Sequence, residues 1–153
     1  MRDTTTGSDY EEIVKLCIKR SCDRNKLEAK SQSVIGDKPG GGKHRVDWEI
    51  YKLDNPSVRG LISCKFQSTS GTAEEKIAYE VIKLLHAMKN DVRFVHSWII
   101  MGGDGWSSGM RVFAQKHLTE WIPAMTGRID IITTDQLINT DLVLQKNKLG
   151  LNK

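Results

Sequence analysis

Apolar residues recur at helical spacing in two early stretches of the chain. The first begins after Ser8 or Asp9, either of which can cap a helix, and continues to about residue 22. The second opens at Thr72, which forms a capping box with Glu75, and runs to about residue 89. Because their apolar side chains lie three or four positions apart, both stretches are predicted to be amphipathic helices.

Between these helices, apolar and polar residues alternate with a period of two, which is typical of strands. Residues 45–53 and 59–67 are predicted strands, and the turn-forming residues 54–57 between them indicate a β-hairpin. Residues 29–35 fit a short strand, although their pattern is ambiguous. The glycine-rich residues 36–43 are expected to form a loop.

The second half of the chain alternates between strand and helix patterns. We predict a strand at 92–101, a loop at 102–109, a helix at 110–121, a strand at 129–133 and a helical turn at 135–138. Strands that are joined through helices tend to run parallel, so the expected fold is a three-layer α/β domain with a central mixed β-sheet flanked by helices. We expect a single domain over residues 1–140 and a flexible tail over 141–153.

Composition narrows the possible functions only a little. The net charge of +4, from 23 basic and 19 acidic residues, is compatible with a polyanionic partner but does not require one. Three cysteines without a CxxC spacing suggest neither a disulfide framework nor a zinc site. No segment has the pattern of a signal peptide or a membrane span, so we expect a cytoplasmic protein without membrane contact.

An acid and a lysine stand on the polar faces of the two hairpin strands. Strict alternation places Val46 and Trp48 on one face of the first strand. The opposite face carries Asp47, Glu49 and Tyr51. On the second strand one face is shared by Ser63, Lys65 and Gln67. If the strands pair, Asp47 and Lys65 come close together.

In most proteins such a pair is an ordinary cross-strand ion pair. It is also what phosphodiester hydrolysis needs, because carboxylates hold a divalent cation and a lysine can orient or deprotonate the attacking water. The two interpretations cannot be separated by this pair alone.

These residues resemble the active-site motif of the PD-(D/E)XK nuclease superfamily, which includes restriction enzymes, some homing endonucleases and junction resolvases. The resemblance spans roughly residues 7–105, with Asp47 at the metal-binding aspartate and Lys65 at the lysine of the next strand. Gly7, Tyr10 and Glu11 resemble an opening-helix motif in which a glutamate reaches the metal site. The resemblance implies a restriction-endonuclease-like fold.

The chain departs from the family motif at two positions. Val46 stands where the motif has proline, and Ser63 stands where it has the second acid. A site with only Asp47 and the Cys64 backbone carbonyl would hold magnesium weakly. Some members of the superfamily look like this chain, with Ser-x-Lys on the strand and the acid moved to the following helix.

Helical geometry offers two positions for the displaced acid. At ~100° per residue, Glu74 falls inside the apolar face of the second helix, in its first turn, while Glu80 lies just outside the edge of that face. A charged residue inside an apolar face needs a reason, so Glu74 is the preferred candidate and Glu80 the second.

The resemblance implies a Mg²⁺-dependent DNA endonuclease, with Mn²⁺ able to substitute. Asp47, Glu74, Glu11 and the Cys64 carbonyl would hold the metal, and Lys65 would position the water, with Ser63 and Gln67 beside it. We expect double-stranded DNA as substrate, site-specific cleavage of restriction or homing type, and a homodimer or homotetramer of bacterial, archaeal or phage origin.

Three basic residues beside the glycine loop could contact DNA phosphates: Lys43, His44 and Arg45. Two other functions stay open. A junction resolvase or repair nuclease would recognise DNA shape rather than sequence, and a catalytically lapsed relative would act only as a DNA-binding or assembly module because Ser63 replaces an acid.

Overall fold

A computed structural model describes residues 7–67, 76–141 and 148–150 of the chain. Its helices and strands, in chain order, are α1 Gly7–Asn25, β1 Glu28–Asp37, β2 Lys43–Lys52, β3 Asn55–Phe66, α2 Lys76–Asn90, β4 Phe94–Gly102, α3 Ser108–Val112, a π-helical segment Phe113–His117, α4 Leu118–Trp121, a 3₁₀ turn Pro123–Met125, β5 Ile129–Thr133 and α5 Thr134–Ile138.

The five strands form one mixed sheet in the order β1-β2-β3-β4-β5. The pairs β1/β2 and β2/β3 are antiparallel, whereas β3/β4 and β4/β5 are parallel. Hairpins join the antiparallel strands, and β4 follows β3 only after α2. The predicted mixed sheet flanked by helices is confirmed.

Apolar side chains are buried on both faces of the sheet, which produces the three layers. On β4, Ile99 packs in the cluster shared with α2, while Trp98 and Ile100 pack in the cluster shared with α1 and α5. Since neighbouring strand residues point to opposite faces, a continuous apolar strand is the expected sequence of a sheet covered on both sides.

The hairpin turn is tighter than the sequence predicted. Lys52 pairs with Asn55, so the turn consists of residues 53–54 and β3 already begins at Asn55. Between the pairs Tyr51–Arg59 and Lys52–Asn55 the register shifts by a bulge that contains Pro56. Proline has no N–H to donate to the ladder, and a bulge is where a strand accommodates it.

Other boundaries differ from the predictions by a few residues. β1 extends to Asp37, so the glycine-rich loop is reduced to residues 38–42. Gly40, Gly41 and Gly42 all have positive φ, a backbone conformation that only glycine adopts readily. The helix predicted at 110–121 starts at Ser108 and contains a π-helical segment. The Thr72–Glu75 capping box lies outside the described residues.

Part of the predicted tail contacts the domain. Leu149 is 3% exposed and belongs to the cluster on the α1 face of the sheet. Lys148 forms an ion pair of 3.0 Å with Asp130, which also contacts His96 at 2.8 Å. In the described part of the chain, no helix is long and apolar enough to cross a membrane.

Candidate active site

Asp47 lies where β2 and β3 stop pairing. The last paired residues of β2 and β3 at this end are Trp48 and Ile62. Beyond them the Cys64 amide donates a hydrogen bond of 2.7 Å to Asp47 Oδ2, so a side chain replaces the backbone acceptor of the ladder. Gln32 Nε2 donates to the other oxygen at 3.4 Å.

The simple alternation predicted for β2 is wrong at this point. Val46 packs in the cluster on the α2 side of the sheet, whereas Trp48 and Ile50 pack on the α1 side. The three residues therefore do not share one face. The change falls where β2 leaves β3 and where Gln32 of β1, opposite Asp47, has a positive φ and is missing from the β1/β2 register.

Asp47 is held in a partly buried, charged environment. Burial raises the pKa of its carboxyl, and the Cys64 amide, the Lys65 ammonium and the Gln32 amide offset this only in part. The nearby Glu80 carboxylate raises the same pKa further. The two acids are thus close enough to repel each other, which favours a cation between or beside them.

Glu80 stands at the centre of a network with Ser63 and two lysines. Ser63 Oγ donates a hydrogen bond of 2.5 Å to Glu80 Oε1. Lys83 Nζ lies 2.8 Å and Lys65 Nζ 3.3 Å from Glu80 Oε2. Burial alone would raise the pKa of Glu80, but the lysines and the Ser63 hydroxyl hold it below its usual value.

The position of Glu80 differs from the one expected from helical geometry. Glu80 is 3% exposed, although a spacing of ~100° per residue predicted that it lies just outside the apolar face of the helix. The serine that departs from the family motif, Ser63, is the residue that binds its carboxylate. Glu74, the preferred displaced acid, lies outside the described residues.

Glu11 approaches the same region from α1. With Tyr10, Cys64, Lys65 and Phe66 it lines a small cavity beside the end of β3. Its carboxylate contributes to the raised pKa of the Cys64 thiol, whose largest cause is burial. Burial thus disfavours the thiolate, and the backbone carbonyl is the group of Cys64 that suits a hard cation such as Mg²⁺.

Gln67 is directed away from this network. Its side-chain amide is buried and donates 2.9 Å to the Gly105 carbonyl, and its backbone carbonyl accepts from the Gly105 amide at 2.8 Å. Gly103 packs so closely against the Gln67 carbonyl that a Cβ would lie only 2.2 Å away. Gln67 thus anchors the loop after β4.

The predicted DNA-contacting residues separate into two groups. Lys43 and Arg45 are exposed, but His44 is 1% exposed and lies inside the domain. Alternation along β2 explains the difference, because the middle residue of the three points towards α2. Burial lowers the pKa of His44, the Glu80 carboxylate opposes this, and the Lys83 ammonium lowers the pKa further.

Lys83 was not identified from the sequence. The available signal was its spacing from Glu80, since residues three apart on a helix lie on the same side. That spacing is common on solvated helix faces. It indicates a site here only because the acid of the pair, Glu80, is buried against the sheet.

The oxygen donors assembled here fit a magnesium ion. Asp47, Glu80 and the Cys64 carbonyl are hard ligands, and Mg²⁺ is usually held by one or two carboxylates while it keeps several waters. Among the described residues, no three histidine, cysteine, aspartate or glutamate side chains are grouped so as to hold a metal ion by themselves. Water or substrate phosphate would have to complete the coordination.

Comparison with known families gives one match that covers most of the chain. The model of a PD-(D/E)XK nuclease superfamily domain matches residues 11–148. The matched segment includes Glu11 and all of β2, β3 and α2, which carry the network described above. No curated protein matches the chain.

Proposed function

This chain belongs to the PD-(D/E)XK nuclease superfamily, and on that premise we propose that it is a Mg²⁺-dependent DNA endonuclease. The observation that carries the proposal is the meeting of Asp47, Ser63, Lys65 and Glu80 at one end of the hairpin. Two acids and a lysine are the chemical groups that phosphodiester hydrolysis needs. They come from β2, β3 and α2, so the fold assembles them.

Each residue of the network has a proposed role. Asp47 and Glu80 hold the ion, with Glu11 and the Cys64 carbonyl as further oxygen donors. When bound, Mg²⁺ or Mn²⁺ supplies positive charge that stabilises the negative charge developing on the phosphate. Lys65 orients the attacking water, and Ser63 fixes the Glu80 carboxylate through a hydrogen bond of 2.5 Å.

Glu80 takes the place of the second acid in this proposal. Its support is the direct contact with Ser63 and Lys65, the two residues of the family's strand motif. Glu74 stays the other candidate. The two acids can be distinguished by substitution, because they lie six positions apart on the chain.

The expected substrate is double-stranded DNA, cut at specific sites by an enzyme of restriction or homing type. One chain would contribute one such site, so cutting both strands is simplest for a homodimer or homotetramer. Exposed Lys43 and Arg45, at the start of β2, are suited to contact DNA phosphates near the site.

The proposal is tested by incubating the wild type, Asp47→Asn and Lys65→Met with plain duplexes and four-way junctions, in Mg²⁺ and in EDTA. We expect Mg²⁺-dependent cutting that falls by about 10²–10⁴-fold in both variants. Lys52→Met, at the other end of the hairpin, is the matched control and should cut like the wild type.

Substrate choice then separates the enzyme classes. Preference for junctions over plain duplex would indicate a resolvase, and DNA binding without any cutting would indicate a lapsed module. Equal cutting by the wild type and Lys65→Met would exclude this active site.

A further inference from the structure

Both carboxylate oxygens of Glu80 lie close to polar groups of the protein. Ser63 Oγ donates to Oε1 at 2.5 Å, and the ammonium groups of Lys83 and Lys65 lie 2.8 and 3.3 Å from Oε2. Glu80 is 3% exposed, so its carboxylate faces these protein groups and not solvent. A metal ion that binds Oε2 therefore comes close to two ammonium groups, both within 3.3 Å of that oxygen.

Lys83 is the closer of the two cations. It extends from the same helix as Glu80, three residues later, and its side chain is 17% exposed. Lys65 comes from β3, is 0.5 Å farther from the oxygen and is 26% exposed. Proposed catalysis requires Lys65 but gives Lys83 no part, so the second ammonium group needs another explanation.

Charge counting provides that explanation. Asp47 and Glu80 contribute two negative charges, and Lys65 and Lys83 contribute two positive charges. These four side chains sum to zero net charge, and a divalent cation entering among them meets two ammonium groups. Since the pairing takes place in a partly buried region, these interactions are only weakly screened by salt.

We propose that Lys83 is an internal competitor for the metal, which neutralises Glu80 in the metal-free protein and lowers the affinity of the site for divalent cations. This inference rests on the proposed function, since it takes the Asp47–Glu80 site to be the metal site. Lys83 is a positioning residue here, because it acts on Glu80 and contacts no reacting atom.

The test is direct metal binding in the absence of DNA. Mn²⁺ is titrated into the wild type, Lys83→Met, Lys83→Arg and Lys89→Met, and the free ion is measured by its electron paramagnetic resonance signal. We expect Lys83→Met to bind Mn²⁺ on the order of tenfold more tightly than the wild type. Lys83→Arg keeps the charge and should retain wild-type affinity within about threefold.

Lys89→Met is the matched control, because Lys89 is an exposed lysine farther along α2. Lys83→Gln is added in case methionine disturbs folding, which urea unfolding of each variant checks. Unchanged or weaker Mn²⁺ binding by Lys83→Met and Lys83→Gln would overturn the inference while the proposed function stands. No binding by any variant, together with no cutting, would overturn both.

Discussion

Individual buried side chains decide the chemistry of the site. Glu80 is buried and Asp47 is partly buried, and each carboxylate is compensated by an amide, a hydroxyl or an ammonium group. His44 differs from them. It is 1% exposed, and neither ring nitrogen has a hydrogen-bond partner within the described part of the chain.

The pKa of His44 makes stability depend on pH. Burial lowers it below the usual 6.5, Lys83, Lys65 and His86 lower it further, and Glu80 opposes them. The unfolded chain therefore takes up a proton more readily as pH falls through about 6.5. The folded state then loses stability, which is regained above that pH.

We predict that His44→Leu removes this dependence. Its free energy of unfolding should change less than that of the wild type between about pH 7.5 and 5.5. At pH 7.5 the variant should be as stable as the wild type or more so, because two unpaired polar atoms are replaced by carbon. Urea unfolding at each pH measures both effects.

The control is His117→Gln, which alters an exposed histidine of the π-helical segment. Parallel pH profiles for the wild type and His44→Leu would contradict the assignment of the buried histidine.

At the scale of secondary-structure elements, a side chain of α1 binds the C-terminal end of the short helix α5. α5 has five residues and is capped at its start by Thr133 and Gln136. At its other end, Arg20 of α1 donates to the carbonyls of Leu137, Ile138 and Thr140 at 3.3, 2.9 and 3.2 Å. A helix this short is not stable alone, so these contacts hold it against the sheet.

Arg20→Met should therefore destabilise the domain by about 1.5–3 kcal/mol, the usual range for hydrogen bonds to a charged group. Methionine keeps most of the apolar stem and removes the guanidinium. Chemical denaturation compares it with Lys19→Met, an exposed neighbour on α1 that should cost little. Equal losses in the two variants would show that Arg20 does not hold α5.

Elements with a regular pattern were predictable from the sequence. β5 was predicted with its observed bounds, and α1 and β4 within a few residues. The bulge at Pro56 and the break in alternation at Asp47 were not, because they depend on how β2 pairs with its two neighbours, β1 and β3. Period-two reasoning assumes an undisturbed ladder, and active-site strands often lack one.

At the scale of the whole molecule, the site joins residues that are far apart in the chain. Asp47 and Lys65 could be named from the strand pattern and the family motif. The burial of Glu80 and its contact with Lys65 depend on how α2 lies across the sheet, and a helical wheel of α2 alone does not include the sheet. For His44 the strand pattern did contain a signal, because alternation along β2 places it on the same face as the buried Val46.

Our proposal for the second acid is that Glu80, bound by Ser63 and Lys65, replaces the missing strand acid. It is tested most directly by DNA cleavage in Mg²⁺ with the wild type, Glu80→Gln, Glu74→Gln and the exposed-residue control Glu12→Gln, each checked for folding by circular dichroism. We predict that only Glu80→Gln loses cutting, by about 10²-fold or more. Wild-type cutting by Glu80→Gln, with loss in Glu74→Gln, would contradict the claim and assign the acid to Glu74.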